Sequence, residues 1–72
     1  MIITIDYRNT FEMNINENDY PLVCHPENVH DDNWEQYNVE CEKLAREIEQ
    51  ICGPDTPPLG AWDEDGEEIY TW

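Results

Sequence analysis

Residues Asp32 to Gly53, DNWEQYNVECEKLAREIEQICG, carry the pattern that most restricts the architecture. Trp34, Tyr37, Cys41, Leu44, Ile48 and Ile51 recur at alternating steps of three and four. At 3.6 residues per turn they share one helical face, which Ala45 and Cys52 widen. Both ends are marked. Asp32 followed three residues later by Glu35 has the form of a capping box, and Gly53-Pro54 supplies a left-handed stop before a residue that cannot continue the helix. An apolar face of this kind has to be buried, so the remaining residues must provide its cover.

That cover is legible as sheet. Ile2 to Tyr7 alternates with Ile3, Ile5 and Tyr7 on one side, and Phe11 to Ile15 sets Phe11, Met13 and Ile15 against Glu12 and Asn14. The alternation predicts a hairpin around Arg8-Asn9-Thr10. Tyr20 to Cys24 predicts a short third strand, with Pro21 placing it at a sheet edge. His25 to Asp31 forms a polar connection into the helix. Beyond it, Pro54-Asp55-Thr56-Pro57-Pro58 is stiff and extended, suited to carrying the chain across the molecule. Asp65-Gly66 marks a turn before a final strand from Glu68 to Trp72. The expected fold is α+β: one domain over residues 1–72, with a small antiparallel sheet of three to four strands and one long amphipathic helix packed on one face.

Eighteen acids against three bases give a formal charge of -15, far beyond what ordinary solubility needs. Self-repulsion at that density works against the compact state. The apolar residues, 39% of the chain, are patterned rather than scattered, which argues for a folded protein with an acidic coat. The start, MIITIDYRNT, has no basic region followed by an apolar run, and no stretch approaches the length of a membrane span. A cytoplasmic location is expected. Three cysteines do not make a disulfide framework, and Cys41 and Cys52 would lie about 16 Å apart by helical rise. Buried, reduced thiols are expected.

On the predicted helix, Glu35, Glu42 and Glu49 fall on one flank of the apolar stripe, about 10.5 Å apart, and Glu40 and Glu47 fall on the other. Lys43 and Arg46 point away from the core. Asp63, Glu64, Asp65, Glu67 and Glu68 form a second acidic run without a base, flanked by Trp62 and Trp72. Charge runs are usually solvated faces. The functional alternative is a surface on which carboxylates meet lysines and arginines while a tryptophan anchors the contact. Trp62 is the anchor candidate, and Trp34 is assigned to the core. The candidate partner-binding residues are therefore Glu35, Glu42, Glu49, Asp63, Glu64, Asp65, Glu67, Glu68 and Trp62.

Other chemistries find less support. Asp63-x-Asp65-Gly66 suggests a calcium loop, but the first and closing ligand positions would be Ala61 and Trp72, which cannot coordinate through their side chains. Cys24, His25 and His30 with Asp31 are zinc-ligand types whose spacing matches no standard finger or ribbon. A thiol beside an imidazole is the one thin catalytic motif, and no oxyanion donor or third orienting group accompanies it. No catalytic residue, metal or cofactor is assigned. Direct nucleic-acid binding is opposed by the shortage of cations to neutralise phosphates.

In size, charge and single-domain build, with the Glu35, Glu42 and Glu49 flank and the acidic turn from Asp63 to Glu68, the chain resembles the small acidic inhibitors encoded by bacteriophages. That class includes anti-CRISPR proteins, anti-restriction DNA mimics and uracil-DNA glycosylase inhibitors. The likeness is compositional, spans the whole chain and carries over no motif. It implies a non-enzymatic inhibitor, a monomer or weak dimer in a bacterial host's cytoplasm, that occupies the basic nucleic-acid-binding surface of a defence complex such as a CRISPR effector. The alternative is an acidic interaction module, such as an antitoxin or adaptor, that binds a basic protein away from any nucleic-acid site. A third reading, a halophile protein whose acids only hold water and salt, is not favoured by the usage of Ile, Asn and Trp.

Overall fold

Pairing on both sides of the first strand builds the sheet. In the computed structural model, which describes all 72 residues, β1 (Ile2–Asp6) lies between β2 (Phe11–Asn14) and β3 (Gly60–Trp62), and β3 pairs in turn with β4 (Glu68–Thr71). All pairs are antiparallel. One long helix, α2 (Trp34–Cys52), packs on the sheet, preceded by a short α1 (Pro21–Cys24) and a 3₁₀ turn at Pro26–Asn28. This is the α+β arrangement the patterning predicts.

The β1–β2 hairpin forms as its alternation requires. Ile3 faces Met13 and Ile5 faces Phe11 across the ladder, so the core-facing residues of both strands fall on one side. Ile3, Ile5 and Ala61 of the sheet meet Leu44 and Ile48 of α2, and all five are fully buried. Each of the four larger side chains contributes about 1.5–3 kcal/mol on burial, a large share for a domain of this size.

The proline-rich connection returns the chain from the end of α2 to the far side of β1. Pro58 is buried, and the Leu59 amide donates to the Asp6 carbonyl at 2.7 Å, which starts the β1–β3 ladder. Gly53 ends α2 with φ +84° and donates its amide to the Glu49 carbonyl at 2.8 Å, the left-handed stop anticipated from Gly53-Pro54.

Four details differ from the patterning. Tyr20 to Cys24 does not add a strand: Pro21 sits in the first turn of α1, where its missing N–H costs nothing. The Asp32–Glu35 capping box does not form. Asn33 occupies the cap position, and its side chain serves the preceding loop, accepting from the His30 amide and donating to the Asn28 carbonyl. Trp34 and Ile51, both assigned to the apolar face, are 54% and 60% exposed. The buried cluster takes Cys41, Leu44 and Ile48 from the middle of α2, and Trp34 and Ile51 lie toward its two ends. Finally, Glu40, placed by projection on a solvent flank, is buried.

Candidate protein-binding surface

α1 and β4 lie along different flanks of α2, which gives its two acidic flanks different surroundings. On the α1 side, one Glu40 carboxylate oxygen accepts from the Leu22 and Val23 amides at 2.9 and 3.1 Å, and the other accepts from Gln36. Those amides belong to the first turn of α1, whose own cap residue, Tyr20, supplies no side-chain acceptor. Glu40 is thus an N-cap supplied by another helix, and it satisfies two first-turn amides that α1 has no acceptor for. One helical turn or two further on, Glu47 accepts from the Tyr20 hydroxyl, and Lys43 lies 4.8 Å over the Tyr20 ring. Burial foremost, and then the Glu47 carboxylate, push the Tyr20 hydroxyl pKa well above its usual value.

On the β4 side, Glu35, Glu42 and Glu49 are all exposed. Glu35 has no side-chain partner in the fold, Glu42 lies 3.9 Å from Arg46, and Glu49 accepts from the Trp72 indole at 2.8 Å. Between this flank and β4 runs a groove of about 450 Å³ lined by Trp34, Tyr37, Cys41, Ile69 and Tyr70, with Glu42 and Glu68 at its edges. Trp34 stacks on Tyr37 with ring centroids 5.6 Å apart. Burial, then the neighbouring Cys41, pushes the Tyr37 hydroxyl up to about 12. Two sets of acids that are far apart in sequence therefore border one groove, through Glu42 and Glu68.

The rest of the acidic turn faces elsewhere. Asp63 accepts from the Asp65 and Glu67 amides at 2.9 and 2.8 Å, which fixes the turn, and Glu64 accepts from the Ile2 amide at 2.8 Å. Asp63, Glu64 and Asp65 border a hollow of about 350 Å³ with Glu17, Glu27 and His25 on its other wall. His25 presents Nε2 to Glu17 at 2.9 Å and Nδ1 to Glu27 at 3.4 Å, so its protonated form satisfies both carboxylates. The Glu17 bond raises its pKa foremost. Trp62 is half-buried and remote from the groove. Its ring lies over Gly60, where a Cβ would come within 2.8 Å of the indole, on the side of β3 away from buried Ala61.

Cys24, Cys41 and Cys52 are free thiols, and burial raises the pKa of each, opposite to what a thiolate nucleophile needs. No three His, Cys, Asp or Glu side chains converge in a geometry that holds a metal ion. No helix is long and apolar enough to cross a membrane.

What dominates the surface is unbalanced charge. Of the acids, only Glu40 is buried and only Asp6 and Asp63 are partly covered, and the rest are exposed. The three cations do little to neutralise them. Arg8 lies over Tyr7 and donates to Thr56, Lys43 lies over Tyr20, and only Arg46 pairs with a carboxylate. Protein-family models, curated proteins and solved structures give no match to this chain.

The groove is not legible in the sequence, because the helical period places Trp34 on the buried face. The one signal for its exposure is its position in the first turn of the helix.

Proposed function

We propose that this protein is a non-enzymatic inhibitor that binds the basic nucleic-acid-binding surface of another protein, within a bacterial defence complex of the CRISPR effector kind. The single observation that carries the reading is the exposed acidic coat, in which Arg46–Glu42 is the only ion pair made by lysine or arginine. A cationic groove that neutralises phosphates would be met here by fixed carboxylates, releasing the counterions that nucleic acid would release. On this reading Glu35, Glu42 and Glu49 meet lysines and arginines along the groove, and Asp63 to Glu68 form a second point of contact.

The experiment is capture of the partner from a bacterial lysate at low salt, followed by challenge with DNA and RNA. Elution by nucleic acid, and by raised salt, is the expected result. A captured partner that stays bound and still takes up its nucleic acid contradicts the reading. That outcome would favour the second reading, an antitoxin or adaptor, for which the specific observation is the apolar groove beside the acidic flank.

A further inference from the structure

We infer that the groove between the N-terminal half of α2 and β4 receives an arginine side chain from a basic protein partner, its guanidinium stacked on Trp34 and held at the rim by Glu42 and Glu68. The inference rests on the reading of the partner as a cationic protein and adds which cation it presents. Trp34 is the large aromatic that the fold leaves outside its core, 54% exposed, and its stack on Tyr37 sets the plane of the indole. An exposed aromatic face of fixed orientation beside carboxylates suits a cation rather than an anion or a neutral apolar group.

The rim has capacity to spare. Within the fold Glu42 meets only Arg46, at 3.9 Å with both side chains largely exposed, and Glu68 accepts only from Thr71. A carboxylate accepts several hydrogen bonds, so both retain free acceptor positions. Arginine fits this set better than lysine. Its guanidinium is planar, weakly hydrated and able to stack while its edge donates to carboxylates, whereas an ammonium is a compact, strongly hydrated charge. The apolar walls at Ile69 and Tyr70 would lie along the methylene stem.

The test titrates two synthetic peptides of identical charge, Gly-Ser-Arg-Gly-Ser-Arg and Gly-Ser-Lys-Gly-Ser-Lys, into the full chain at physiological ionic strength. Binding is followed by the nuclear magnetic resonance signals of the Trp34 indole and the backbone amides. The arginine peptide is expected to bind about three- to tenfold more tightly than the lysine peptide, with the largest shifts at Trp34, Tyr37 and Ile69. Trp34→Ala, at an exposed position, should equalise the two peptides. Equal binding to the native protein, or a preference that survives Trp34→Ala, overturns the inference. If both peptides bind equally and Glu42→Gln with Glu68→Gln weakens both, the groove assignment fails while the acidic-surface reading stands. If neither binds better than Gly-Ser-Gly-Ser-Gly-Ser, the acidic-surface reading fails with it.

Discussion

The two acidic flanks of α2 contain the same residue type at the same helical spacing, yet they serve opposite ends. Glu40 and Glu47 are taken up by the fold, one capping α1 and the other receiving the Tyr20 hydroxyl. Glu35 and Glu42 meet nothing in the fold but Arg46, and Glu49 meets only the Trp72 indole, so this flank stays exposed along the groove. A carboxylate contributes to stability here when backbone or hydroxyl donors converge on it, and remains available for a partner when they do not. Helical position alone does not separate the two cases.

The sharpest way to break that distinction is Glu40→Ala. It strands two amides of α1, and a loss of about 2–4 kcal/mol is expected in urea unfolding, with Glu40→Gln losing less. A change below about 0.5 kcal/mol would mean that the cap carries no weight. Next comes Tyr20→Phe, which removes the donor to Glu47 and should cost about 1–2 kcal/mol by the same measurement. On the other flank, Glu35→Gln and Glu42→Gln together should leave stability within about 0.5 kcal/mol, or raise it slightly as repulsion falls. Partner affinity should nevertheless weaken, and charge reversal at Glu42 and Glu49 should also flatten its salt dependence. Unchanged affinity after reversal would remove that flank from the interface.

Titration gives smaller tests. The Tyr37 hydroxyl, held up to about 12 by burial, stays neutral in the fold over a range in which the unfolded chain ionises from the ordinary tyrosine value of 10.0. Its contribution is complete below pH 10 and lost as pH rises toward 12, so alkaline unfolding in that window should be less steep in Tyr37→Phe. His25, raised by Glu17 and Glu27, should titrate above the ordinary histidine value of 6.5 by nuclear magnetic resonance and move back toward it in Glu17→Gln. Any stability it lends is present below pH 6.5 and lost as pH rises through the raised folded value.

The fold was largely legible because its signals are local. Alternation in Ile2–Tyr7 and Phe11–Ile15 defines a hairpin, and the period of Tyr37, Cys41, Leu44 and Ile48 defines the helix and its buried side. What stayed hidden depends on distant partners. Glu40 binds amides 17 and 18 residues upstream, in a segment whose composition reads as a strand, because Pro21 suits a sheet edge and a first helical turn equally. Trp34 and Ile51 obey the helical period, which fixes an angle about the axis but not how far along it the core extends. The three-residue β3 is too short for any period. The candidate surface was half legible: the Glu35, Glu42 and Glu49 flank follows from spacing, whereas its meeting with Glu68 across an aromatic groove follows only from where β4 lands.

The bond pair at Glu40 also bears on how the molecule opens. A four-residue helix cannot persist unaided, and α1 is fastened to α2 by the Glu40 carboxylate, by the Tyr20 hydroxyl on Glu47 and by the burial of Tyr20, Leu22 and Val23. Residues between Ile15 and Asn33 should therefore detach together as one unit, and their amides should exchange with deuterium earlier than those of β1. The slowing of exchange at Leu22 and Val23 that Glu40→Ala removes would then measure one carboxylate's share in holding a quarter of the chain.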